Sequence, residues 1–159
     1  MVKITSGDEL VDMLKKAEQI EMGFEDSSIW EGYIEVDDQD IRNLIFTLSS
    51  ASHDHTKMVQ SMIDMVEAES GEGSLPLQKR EFNFKNMGDS EIMNQLLKYD
   101  RLAYNLYVDI QRALEESDRA MIKEGKKEEF RSYLERLLRD EKKHIDLLSR
   151  YVGFIQRIR

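Results

Sequence analysis

The residues best suited to chemistry in this sequence are a carboxylate and an imidazole three positions apart, Glu141 and His144. Apolar residues recur around them at helical spacing, which places both side chains on the apolar face of one helix. Burying a charge without a partner is very costly. Some group in the protein interior must therefore receive Glu141, and a metal ion is one candidate.

Polar side chains also interrupt the apolar stripes of other predicted helices. His55, with Ser52 three residues before it, lies on one such stripe, and Asp100 lies at the centre of another. The first predicted helix offers Ile20 at the matching depth, with Glu21 one residue away. Carboxylates and imidazoles are ligands suited to iron, manganese or zinc. These residues predict a buried metal site where the four helix faces meet.

Four long helices must position these side chains, since the chain holds one proline and only eight glycines. The apolar periodicity predicts helices over about 8–33, 38–69, 89–118 and 126–158. The connection over about 70–88 is long for a compact domain, so we expect it to cross along the outside of a bundle. Two short connections and one long crossover predict an all-α, antiparallel four-helix bundle that forms a single domain, residues 1–159.

Composition and charge exclude several classes of function. A formal net charge of −9 argues against a nucleic-acid partner. No apolar run reaches the roughly 18 residues of a membrane span, and the N-terminus has no signal-peptide pattern. Because the chain has no cysteine, it has no disulfide, iron–sulfur cluster, rubredoxin-type iron site or thiol nucleophile. We therefore expect a cytoplasmic protein that binds neither nucleic acid nor membranes.

Two motifs in the C-terminal half resemble the rubrerythrin branch of the ferritin-like superfamily. Residues 100–107, Asp-Arg-Leu-Ala-Tyr-Asn-Leu-Tyr, follow its carboxylate-x-x-Ala-x-x-x-Tyr element, with Asp in place of the usual Glu. Residues 141–145, Glu-Lys-Lys-His-Ile, follow its Glu-x-x-His element. The resemblance spans about residues 8–157 in helix order and crossover placement. It implies a ferritin-like fold, a homodimer, a pair of iron ions, and peroxidase, iron-oxidase or iron-storage activity.

The N-terminal half departs from this family pattern at three positions. Ile20 stands at the first ligand position, Ser27 replaces a tyrosine, and Ser52 replaces the Glu of the first Glu-x-x-His. Glu21 points about 100° away from Ile20 around the helix axis. It can supply the first ligand only if a π-bulge or a rotation of the whole helix absorbs that difference. Of the six ligands of a di-iron carboxylate site, the resemblance carries over four: His55, Asp100, Glu141 and His144.

Three hypotheses follow from these residues. In the first, the chain is an iron-, manganese- or zinc-binding oxidoreductase or iron-handling protein that acts on oxygen or peroxide, with Glu21 as a fifth ligand. In the second, it is a degenerate, metal-free bundle with a structural or protein-interaction role, in which Glu141 pairs with His55 and Asp100 with His144. In the third, it is a generic helical bundle in which these side chains do not converge.

Overall fold

The computed structural model describes residues 4–25, 36–69, 87–117 and 120–158. The helices in this part of the chain are α1 (Gly7–Glu25), α2 (Gln39–Asp64), α3 (Asp89–Glu116) and α4 (Lys127–Ile158). Helix α1 packs along α2, and α3 packs along α4, as two antiparallel pairs. The pairs meet along an α1/α3 seam and an α2/α4 seam. The predicted all-α, antiparallel four-helix arrangement is therefore confirmed.

The helix starts lie within one residue of the predicted positions, and the chain supplies a reason for those of α1, α2 and α4. The Asp38 side chain accepts hydrogen bonds from the backbone N–H groups of Asp40 and Ile41 and caps α2. Ser6 accepts one from the N–H of Glu9 at the start of α1. Before α4, Gly125 takes a φ of +80°, which glycine adopts at little cost.

The predicted end of the second helix at residue 69 is wrong, because α2 ends at Asp64. The backbone after it turns away and pairs with a segment that precedes α4. Val66 forms a β-bridge with Ile122, the N–H of Glu67 donates to Met121, and the N–H of Lys123 donates to Met65. The backbone donors and acceptors that another turn of α2 would use are therefore engaged in long-range hydrogen bonds. The predicted continuation of the first helix over 26–33 and most of the predicted crossover, residues 70–86, lie outside the described residues.

Apolar side chains from all four helices form one core. The largest fully buried members are Tyr107, Phe24, Phe130, Leu10, Leu14, Leu48, Met62, Ile92, Met93, Leu96 and Ile110. Acidic and imidazole side chains are buried within this core, on all four helices. None of the described helices combines the length and the apolar character that a membrane crossing requires.

Candidate metal centre

Five acidic and imidazole side chains converge in the core as two groups of three. One group is Glu21, His55 and Glu141, and the other is Asp100, Glu141 and His144. In each group, one potential ligand atom from every residue lies within 4.8 Å of the others. Glu141 belongs to both groups. The hypothesis of a generic bundle in which these side chains fail to converge is therefore wrong.

Each helix contributes to this centre from its buried face, near the middle of α2, α3 and α4 and four residues before the end of α1 at Glu25. Glu21 comes from α1, His55 from α2, Asp100 from α3, and both Glu141 and His144 from α4. All five side chains are buried, with relative exposures between 1% and 8%. The four-helix arrangement therefore gathers charged groups where packing alone would favour apolar ones.

The alignment that put Ile20 at the first ligand position is corrected by the structure, which brings Glu21 to the centre instead. Glu21 is 1% exposed and Ile20 is 5% exposed, so both face the interior. Helix α1 is α-helical from Gly7 to Glu25. The orientation of the helix, rather than a π-bulge, therefore turns Glu21 inward. Ser27, the other departure on this helix, lies outside the described residues.

His55 lies between carboxylates on both sides of its ring. Its Nδ1 is 3.0 Å from Oε1 of Glu141 and 3.4 Å from Oε1 of Glu21, and its Nε2 is 3.1 Å from Oδ2 of Asp140. Burial opposes a charge on His55, but Glu141 and Glu21 outweigh that effect and raise the pKa of His55 to about 11. The pairing of Glu141 with His55 expected for a metal-free bundle is thus present.

Asp140 contacts His55 at the edge of the centre, and the sequence did not predict this. It lies one residue before Glu141, off the apolar stripe, and its side chain is 25% exposed. Because an ionised carboxylate only accepts hydrogen bonds, its contact with Nε2 keeps a proton on that nitrogen. A metal ion would therefore replace the proton on Nδ1, the nitrogen that faces Glu21 and Glu141. A carboxylate behind a histidine is a common outer-shell partner of metal ligands.

Tyr107 orients the carboxylate of Glu21. Its buried hydroxyl donates a 2.8 Å hydrogen bond to Oε1 of Glu21. Burial raises the pKa of Tyr107 well above its ordinary value, and the charges of Glu21 and Glu141 add to the rise. The hydroxyl therefore keeps its proton and acts as a donor. Tyr107 is the tyrosine of the 100–107 motif, so that motif places two side chains, Asp100 and Tyr107, near the centre.

The acids of the centre are crowded and incompletely paired. Burial raises the pKa of Asp100 well above its ordinary value, and burial together with the charge of Glu21 raises that of Glu141 to about 8. Within the part of the chain that the structure describes, Glu21 Oε2, Asp100 Oδ2 and Glu141 Oε2 have no hydrogen-bond partner. Buried polar atoms normally have one. A divalent cation fits this donor set of carboxylate oxygens and imidazole nitrogens.

Ser52 leaves the centre one acid short of a six-ligand carboxylate site. It is 4% exposed and lies one turn before His55, as its place on the apolar stripe predicted. Its backbone carbonyl accepts a hydrogen bond from the Thr56 hydroxyl. The centre therefore offers the carboxylates of Glu21, Asp100 and Glu141 and two imidazoles.

Comparison of the chain with protein-family models, with curated proteins and with solved structures finds no match. The resemblance to rubrerythrin-type proteins therefore stays a prediction from two motifs. Independently of it, the protein is a helical bundle with buried acid and histidine groups that could hold a metal ion.

Proposed function

We propose that the chain binds divalent transition metal ions through Glu21, His55, Asp100, Glu141 and His144. We further propose that it is a ferritin-like oxidoreductase or iron-handling protein, dependent on iron or manganese, that acts on oxygen or peroxide. The observation that carries this proposal is the pair of buried groups that share Glu141. A folded protein rarely keeps three buried carboxylates with unsatisfied oxygens unless a cation or a proton compensates them.

The donor set supports this class of metal. Each group supplies two carboxylates and one imidazole, which suits iron, manganese or zinc and lacks the thiolates that soft-metal sites use. Two divalent ions would carry four positive charges against three carboxylates, and one ion would carry two. Glu141 is the residue placed to contact either ion. The resemblance favours iron, and the donor set alone admits all three metals.

The protein's own residues prepare the centre in three ways. Tyr107 fixes Glu21 through a hydrogen bond, and Asp140 keeps the proton of His55 on Nε2. The surrounding apolar side chains exclude water, which strengthens electrostatic interactions at the centre. Bound iron or manganese would supply the electron-transfer and oxygen chemistry that these side chains lack.

The test is elemental analysis of protein purified without a metal-affinity column, followed by titration with iron, manganese or zinc. Because Glu141 lies in both groups, Glu141→Ala should abolish binding, whereas His144→Ala should remove one group and leave the other weakened. His53→Ala is a matched control, since His53 lies on α2 but is exposed. Stoichiometric metal retained in both Glu141→Ala and His144→Ala would defeat the proposal.

A second candidate is the metal-free bundle with a structural or protein-interaction role. The observation in its favour is the ion pair between His55 and Glu141, which compensates part of the buried charge without any metal. In this case, protein from cells grown with added iron or manganese contains no transition metal. Its melting temperature then stays constant when metal is added. A metal-binding protein would instead gain stability with ligand concentration.

A further inference from the structure

Solvent reaches the edge of the metal centre at Asp140, a partly exposed residue that contacts His55. Glu21 on α1 and Asp100 on α3 are 1% and 2% exposed, whereas Asp140 on α4 is 25% exposed. Asp140 and His55 face each other across the α2/α4 seam, where the backbones of the described helices make the fewest close approaches of the four seams. An ion that approaches from solvent along this seam therefore meets Asp140 before it meets the buried ligands.

Asp140 connects solvent with the centre through a single side chain. Its Oδ2 lies 3.1 Å from Nε2 of the buried His55, and its neighbour Glu141 belongs to both ligand groups. We propose that Asp140 is the uptake residue of the centre: its carboxylate binds a divalent cation from solvent and passes it along the α2/α4 seam to Glu141 and His55. This inference rests on the proposed function and gives Asp140 a role beyond the orientation of His55.

The surroundings of Asp140 suit such a transient site. Arg136 Nε lies 3.7 Å from Asp140 Oδ2 and its side chain is 51% exposed. An ion pair this exposed is weak, so the guanidinium can leave when a divalent cation arrives. Further along the seam, Leu147, Arg150 and Tyr151 of α4 and Asp40 of α2 line an open groove of about 490 Å³. Leu147 lies three residues after His144 and is 38% exposed, so its side chain lies at the solvent-facing edge of this groove.

The first experiment measures the rate of Co²⁺ uptake by metal-free protein at low ionic strength and its release to a chelator. Asp140→Asn removes the charge but keeps an oxygen that accepts from His55 Nε2. We expect uptake to slow by about five-fold or more, because a carboxylate that attracts and holds the ion on the route is lost. Release should slow to a similar extent, because the ion leaves by the same route, so the dissociation constant should change by less than about three-fold. Asp146→Asn is the matched control, since Asp146 is an exposed acid on the same helix. Arg136→Gln should speed uptake.

A steric experiment tests the route itself. Leu147→Trp should slow uptake and release, whereas Leu102→Trp should change neither, because Leu102 is equally exposed at 37% but lies on α3. Equal rates for Asp140→Asn and Asp146→Asn, or faster release from Asp140→Asn, would overturn the uptake role. Faster release would mean that Asp140 only orients His55. A wild-type protein that binds no Co²⁺ would overturn the proposed function, and this inference with it.

Discussion

Asp140 Oδ2 and His55 Nε2 lie 3.1 Å apart, and this contact ties α4 to α2 beside the buried acids. It joins residues 85 positions apart in the chain. Because this contact uses the N–H at Nε2, the nitrogen that can bind a metal ion is Nδ1, which faces Glu21 and Glu141. The contact thus sets which nitrogen of His55 is available to a metal ion.

Removal of this acceptor should weaken metal binding. We expect Asp140→Ala to lower affinity by about ten-fold or more, the usual cost of losing an outer-shell partner of a histidine ligand. Asp140→Asn should retain most of the affinity, since its side-chain oxygen still accepts from Nε2. Isothermal titration of both variants with Mn²⁺ measures the difference. Equal affinities for the two variants would show that the hydrogen bond does not orient His55 for binding.

A carboxylate at position 52 should strengthen metal binding. Ser52 is buried one turn before His55, where a Glu would add a fourth acid. Without metal, Ser52→Glu should lower the free energy of unfolding by about 1–3 kcal/mol, because a further buried acid lacks a partner. With metal, the variant should gain more stability than the wild type. Thermal unfolding with and without Mn²⁺ checks this, and Ser50→Glu, on the exposed side of α2, is the control.

Metal affinity should rise with pH. Burial and the charge of Glu21 raise the pKa of Glu141 to about 8. Burial lowers the pKa of His55, but Glu141 and Glu21 outweigh that effect and raise it to about 11. Both groups must lose their protons to bind a metal, so protons compete with the ion below these values. We expect at least about ten-fold tighter Mn²⁺ binding at pH 8 than at pH 6, with proton release. Titrations in buffers of different ionisation enthalpy measure the protons. An affinity independent of pH would exclude these residues as ligands.

Gly7 should be intolerant of a side chain. A Cβ atom there would overlap the backbone carbonyl oxygen of Glu67, where the chain leaves α2. A backbone atom cannot move aside cheaply, so Gly7→Ala should lower the free energy of unfolding by about 1–3 kcal/mol. Gly88→Ala is the control, since nothing lies within 4 Å of its added Cβ. Urea denaturation compares the two, and equal stability would show that the start of α1 shifts freely.

Much of the centre could be predicted because four of its residues lie on apolar stripes. His55, Asp100, Glu141 and His144 each occupy a position that helical periodicity assigns to the core, and the structure brings them together. The sequence alone could not decide whether Ile20 or Glu21 lies at the centre. Successive residues of a helix differ in direction by about 100°, and the buried face of α1 is wide enough to include both Ile20 and Glu21.

Contacts between distant segments account for what the sequence did not predict. The end of α2 depends on backbone pairing between residues 65–67 and 121–123, which local propensity does not encode. Asp140 lies off the apolar stripe, so periodicity assigns it to the surface. Its role becomes visible only when α2 lies beside α4 and His55 comes within reach. Tertiary packing therefore decides both features.

The hydroxyl of Tyr107 should contribute to stability by satisfying Glu21. Tyr107→Phe conserves most of the volume but leaves Glu21 Oε1 without this 2.8 Å hydrogen bond. An unsatisfied buried carboxylate oxygen should cost about 1–3 kcal/mol in the metal-free protein. The cost should shrink when Mn²⁺ is bound, because the ion then compensates the carboxylate. A double-mutant cycle with Glu21→Met, which removes the accepting oxygen, isolates the pair when measured by urea denaturation with and without Mn²⁺. Additive effects in the metal-free protein would show that the hydrogen bond contributes nothing.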